Sequence, residues 1–159
     1  MPDKPDLELE FPTILEAAVE NKLSPEEAMF LLSARMTEQG GKGFEYGVKR
    51  AKGTHLRRQA GEAAVSIYNN RERYEKYIRA GGKPNYTEFF AHHGGPVGKG
   101  WAPIKDVPKW EEDLNRNWPK NQDRFLGDML PIWMPRIKEY YDDSERRNVL
   151  KGKQTSPIR

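Results

Sequence analysis

The sequence predicts a single, mainly α-helical domain, and three observations predict it. A reciprocal capping signal, Ser24 with Glu27, stands at the head of an apolar run. Apolar residues recur at helical spacing through a long second stretch, residues 56–80. Gly-Gly pairs (Gly40-Gly41 and Gly81-Gly82) then close both segments, as helix C-termini favour.

The elements follow in order. Residues 1–10 carry Asp3, Asp6, Glu8 and Glu10 with little to bury, and read as a flexible N-terminal arm. A short helix is expected over 13–22, with Ile14, Leu15, Ala18 and Val19 at core spacing. The clearest helix spans 25–39: Pro25 occupies its first turn, and Ala28, Met29, Leu31, Leu32, Ala34 and Met36 form a wide apolar face. The four glycines within 40–54 call for a loop or a small hairpin. The helix over 56–80 carries Ala60, Ala63, Ala64, Ile67, Tyr68, Tyr74, Tyr77 and Ile78. Asn85 and Glu88 start a short helix through Phe89 and Phe90. Residues 93–121 read as a Gly/Pro-rich loop holding Trp101, Trp110 and Trp118. A last helical region, 122–142, contains Pro131 and Pro135, which predict a kink or two short helices. Residues 144–159 read as a basic flexible tail, so the folded body is drawn over 11–143.

Composition narrows the chemistry. At 159 residues the chain has one domain's length. Such a domain buries roughly 70% of its unfolded surface, enough to stand without cross-links. With no cysteine, disulfides, thiolate metal sites and a cysteine nucleophile are excluded. Three histidines, two of them adjacent (His92, His93), are a thin basis for zinc, and no metal or organic cofactor is implied. No stretch approaches the roughly 20 apolar residues of a membrane span. The acidic N-terminus has no signal-peptide core, which predicts synthesis in the cytoplasm. The net charge of +3 suits an anionic polymer surface but is too small to name one.

Glu38 is the first candidate for chemistry. It lies four residues after Ala34 and seven after Leu31, beside the apolar face and in the last turn of its helix. Partial burial and the negative end of the helix dipole both favour a protonated carboxyl, which a general acid in glycoside cleavage requires. Gly40, Gly41 and Gly43 would let a polymer approach it. The alternative is a solvated residue at a helix end. Glu45, seven residues on, is either a second carboxylate or a loop charge. Tyr46, Tyr68 and Asn69 can hydrogen-bond a sugar, although Tyr68 at helical spacing from Ala64 also suits a core position. Trp101, Trp110 and Trp118 can stack on pyranose faces or pin their loop. The basic run Lys49, Arg50, Lys52, Arg57 and Arg58 suits an anionic partner or a solvated face.

The run SPEEAMFLLSARMTEQGGKGFEYGV resembles the opening of lysozyme-like peptidoglycan-cleaving domains, the lytic transglycosylases and the bacterial or phage glucosaminidases. In those, an Ala/Leu-rich helix ends in a catalytic Glu followed by a small residue and Gly. Here the pattern is Ala34-Arg35-Met36-Thr37-Glu38-Gln39-Gly40, with Gln39 where Ser is usual. The stretch AAVSIYNNRERYEKYI is similar to a transglycosylase helix carrying Tyr-Asn, here Tyr68-Asn69, and NYTEFFAHHGGPVGKGWAPIKDVPKWEEDLNRNW to the late region of phage glucosaminidases. The resemblance covers about residues 12–121 and implies a lysozyme-like helical domain that cleaves peptidoglycan glycan strands. It implies Glu38 as acid and base, Glu45 as its partner in a hydrolase, and Tyr46, Tyr68, Asn69, Trp101 and Trp118 at the sugar. It further implies a monomeric phage product, an endolysin or a virion-associated enzyme. Two alternatives stand beside it: a non-catalytic virion or interaction protein on the same scaffold, and a nucleic-acid-binding module using residues 49–58 and the tail.

Overall fold

Among the described residues the chain forms the helices α1 (Leu7–Glu20), α2 (Pro25–Glu38), α3 (Leu56–Arg79) and α4 (Lys109–Thr155). The computed structural model describes residues 5–38, 43, 45–46, 51–82, 89 and 109–155, with side chains of the last stretch described over 120–150. Among the described residues there is no strand; of the segment read as loop or hairpin, Gly43, Glu45, Tyr46 and 51–54 lie in turns and single-turn structure.

The capping box at the head of α2 forms as the sequence predicts. The Ser24 N–H donates to Glu27 Oε1 (2.8 Å) and the Glu27 N–H to Ser24 Oγ (3.1 Å). Helices α1 and α3 end alike, and here the residues differ. After α3, Gly81 (φ +94°) turns the chain, with bonds from the Gly82 N–H to the Tyr77 carbonyl (2.9 Å) and from the Gly81 N–H to that of Ile78 (3.0 Å). A Cβ on Gly82 would sit 2.3 Å from the Tyr77 ring, so a side chain there would have to displace that ring. After α1 the same pair of bonds runs from Leu23 to Ala18 and from Lys22 to Val19, both 3.0 Å, with Lys22 at φ 61° in the glycine's place. Ala18 and Leu23, both buried, compensate the left-handed lysine, and no glycine signals that stop in the sequence.

Helix α2 is the centre of the core. Every residue from Ala28 to Met36 is buried, and α1, α3 and α4 all pack on α2. The α2–α4 contact is the most extensive. Gln122 of α4 seals it, donating from Nε2 to Ser33 Oγ (2.7 Å) and the Phe30 carbonyl (3.2 Å), while its Oε1 accepts from Thr37 Oγ1 (2.5 Å). Hydrogen bonds made in this way offset the desolvation of a buried amide and favour one arrangement of the contact.

Three boundaries move from those the sequence suggests. Helix α1 starts at Leu7, capped by Asp6, so 7–10 belong to the body: Leu7 is buried, Glu8 pairs with Arg136 (2.6 Å) and Glu10 with Arg35 (2.6 Å). Helix α4 is one element through Pro119, Pro131 and Pro135 rather than a loop followed by a broken helix. Proline costs a helix interior about 3 kcal/mol. Met129, Trp133 and Ile137, spaced by four, are buried and offset that loss, while Pro131 and Pro135 face outward. Phe11 packs on Trp133 and Tyr140, with the Arg136 guanidinium 4.3 Å from the Trp133 ring centroid. The tail is helical to Thr155, and residues 145–150 are exposed along it.

Candidate functional site

At the C-terminal end of α2 one basic and three acidic side chains gather around a phenol. Tyr46 is buried and donates from its hydroxyl to the Leu31 carbonyl (2.8 Å). Burial raises its pKa well above the usual tyrosine value, and the charges of Arg35, Glu10, Glu38 and Glu45 all act on it. Glu38, Glu45 and Tyr46, which the sequence reading singled out, differ from that reading in their exposure.

Glu38 is exposed rather than partly buried. Met36 is the last buried residue of α2 and Thr37 is half-buried against Gln122, so exposure begins at the final residue of the helix. The partial burial that the sequence reading expected of Glu38 is therefore not found. Glu45 shows the opposite departure. It is 5% exposed, and its Oε1 accepts the N–H of Gly43, so its carboxylate closes a turn instead of facing solvent. Tyr46 is likewise committed to the core. Its hydroxyl proton is spent on the α2 backbone and is not offered to a sugar.

Arg35 lies beneath this turn. It is 5% exposed and donates from Nε to Glu10 Oε1 (2.6 Å), from Nη2 to Glu10 Oε2 (3.2 Å) and from Nη1 to the Glu45 carbonyl (3.2 Å). From the far side, Gln59 of α3 donates from Nε2 to the carbonyls of Gly43 (3.0 Å) and Ala51. The turn is narrow: Gly43 has φ +85°, the Gly53 N–H donates to its carbonyl (2.8 Å), and a Cβ there would meet Gly53 Cα at 3.2 Å. Glycine is thus required at 43.

The other candidates lie elsewhere. Tyr68 and Asn69 sit on the exposed face of α3, with the Arg71 guanidinium 5.0 Å from the Tyr68 ring centroid. The buried asparagine is the next residue, Asn70, bonded to the Ser66 carbonyl (2.7 Å) and to Arg73 (3.3 Å). Tyr68 is thus neither the core residue that its spacing allowed nor part of the cluster around Tyr46. The side chains of Trp101, Trp110 and Trp118, the His92-His93 pair, and Lys49 and Arg50 lie outside the described residues. Arg57 pairs with Glu16 and Glu20, and Arg58 with Glu62 (3.9 Å), so this part of the basic run is neutralised by acids from α1 and α3.

Sequence reasoning missed Glu10, Arg35, Gln59 and Gln122. Arg35 alone left a signal: a guanidinium inside a nine-residue run of otherwise small or apolar residues must find an acid, since a buried charge is tolerated only when paired. Compared with protein-family models, curated proteins and solved structures, the chain matches none. Among the described residues no helix is long and apolar enough to cross a membrane.

Proposed function

We propose that the protein cleaves the glycan strands of peptidoglycan, as a muramidase, lytic transglycosylase or glucosaminidase does, with Glu38 as general acid and then base. One observation carries the reading. Glu38 is an exposed carboxylate two residues beyond a run of nine buried ones, beside a turn held from both sides by buried polar side chains. An acid on such a support is held in place by packing already present before substrate arrives, which is how positioning lowers a barrier. Glu38 would protonate the glycosidic oxygen. It would then remove a proton from the sugar's C6 hydroxyl, giving an anhydro product, or from water. The burial of Glu45 favours the first route, because a hydrolase that uses two carboxylates needs its second one at the sugar or at a water. With Tyr46 in the core, sugar contacts fall to groups at the surface around Glu38. The chain would act on the wall as a released lysis enzyme or as part of a virion.

The burial of Glu45 also favours a second reading, a wall-binding or virion scaffold without turnover. Mass spectrometry of fragments released from purified sacculi separates the two. Anhydro- or reducing-end muropeptides from the native protein, absent with Glu38→Gln and only reduced with Glu45→Gln, are the expected result. Binding to sacculi with no fragment released by the native protein would select the scaffold.

A further inference from the structure

We infer that Arg35, locked by Glu10, is a positioning residue that sets the Gly43–Tyr46 turn against the end of α2, and with it the surroundings of Glu38. The turnover part of this inference rests on the glycan-cleavage reading; the positional part does not. Arg35 and Glu38 are three residues apart on α2 and so share a face. The guanidinium fork is used in two directions: its Nε and Nη2 edge is bidentate to Glu10 on α1, and Nη1 reaches the Glu45 carbonyl. A planar fork holds both at once because its N–H groups are fixed relative to one another, which a single ammonium cannot reproduce. The Glu45 carboxylate in turn accepts the Gly43 N–H, and the Gly43 carbonyl receives the Gly53 N–H and Gln59. The chain of bonds therefore runs Glu10, Arg35, Glu45, Gly43, Gln59, from α1 through α2 and the turn to α3. Arg35 joins the turn to the helix that carries Glu38 through the Glu45 carbonyl, beside the bond from the Tyr46 hydroxyl to the Leu31 carbonyl. The cost of burying an ion pair here is otherwise unexplained, since an apolar pair of similar volume often serves stability as well.

The test replaces the pair without leaving a lone charge: Glu10→Leu with Arg35→Met. Melting temperature, hydrogen exchange at the Gly43 and Gly53 amides, and turnover on sacculi are read together. The expected result is a melting temperature close to that of the native protein, exchange at both amides faster by tenfold or more, and kcat lower by tenfold or more with KM little changed. Native exchange and native turnover in a folded double variant would overturn the inference. Should the double variant fail to fold, Arg35→Lys is read instead. It keeps the charge beside Glu10 but not both arms, so the same two changes are expected, and native values for both would overturn the inference. If the native protein releases no fragments, the cleavage reading has failed on its own. Amide exchange then decides the positional role: faster exchange supports it, and unchanged exchange overturns it.

Discussion

The two ends of α2 both carry a glutamate, and the chain treats them in opposite ways. At the N-terminal end Glu27 closes a capping box with Ser24 and receives Arg71 from α3, so its carboxylate is fully engaged in holding three segments together. At the C-terminal end Glu38 is exposed, and the acid that pairs with the buried Arg35 is Glu10, 25 residues away in the chain. A carboxylate suits a helix N-terminus, where it meets free N–H groups and the positive end of the dipole. At a C-terminus it opposes the dipole, so structural work there falls to a cation, and Arg35 supplies it.

The largest expected effect is on the buried end. Arg35→Met alone strands Glu10 beside apolar neighbours, and breaking a buried pair costs about 3–5 kcal/mol. Glu10 keeps 17% of its side-chain exposure, which places the expectation at the lower end of that range. Urea unfolding measures it, and a loss below about 1 kcal/mol would show that the two ends are not braced differently. Next comes activity: Glu38→Gln should lower cleavage by at least about 100-fold, near 2.7 kcal/mol of barrier, within the usual range for a lost general acid. Turbidity clearing of sacculi reads it, and near-native clearing would remove Glu38 from the chemistry.

Smaller effects sharpen the contrast. Ser24→Ala should cost about 1 kcal/mol in thermal or urea unfolding, as N-cap losses do. At the same end, burial pushes the Glu27 carboxyl up, but hydrogen bonds from Arg71 and Ser24 and the charge of Arg71 together hold it below its ordinary value of 4.5. A depressed folded-state pKa stabilises fully above the unfolded value and is lost as pH falls through the folded one. The melting-temperature advantage of the native chain over Arg71→Met should therefore be constant above about pH 5 and shrink below 4.5. An advantage unchanged down to pH 3 would show that Arg71 acts by packing. The smallest effect should be that of Glu38→Gln on stability, within about 0.5 kcal/mol, as for an exposed side chain.

Legibility follows the range of the interactions. The capping box at Ser24, the stop at Gly81-Gly82 and the bounds of α2 and α3 were readable because each rests on residues within a turn of one another. The stop after α1 was not, since Lys22 occupies a conformation that glycine usually announces. At the candidate site, Glu38, Glu45 and Tyr46 could be singled out from the chain, whereas their exposure could not be read from it. Nothing local distinguishes a glutamate that faces solvent from one folded back on a glycine N–H.

What the sequence by itself determined is a helical chain with a capped, apolar helix ending in a glutamate before glycines, because capping and periodicity act over three or four residues. Tertiary structure alone decided the rest. It carried α4 through its prolines, because the burial of Met129, Trp133 and Ile137 outweighs the lost backbone bonds. It joined Arg35 to Glu10 and Gln122 to Ser33, contacts between residues 25 and 89 positions apart that no local rule connects. And it chose which glutamate is exposed: burial along α2 ends at Met36, two residues before Glu38, while the Gly43 N–H binds the Glu45 carboxylate inside its turn.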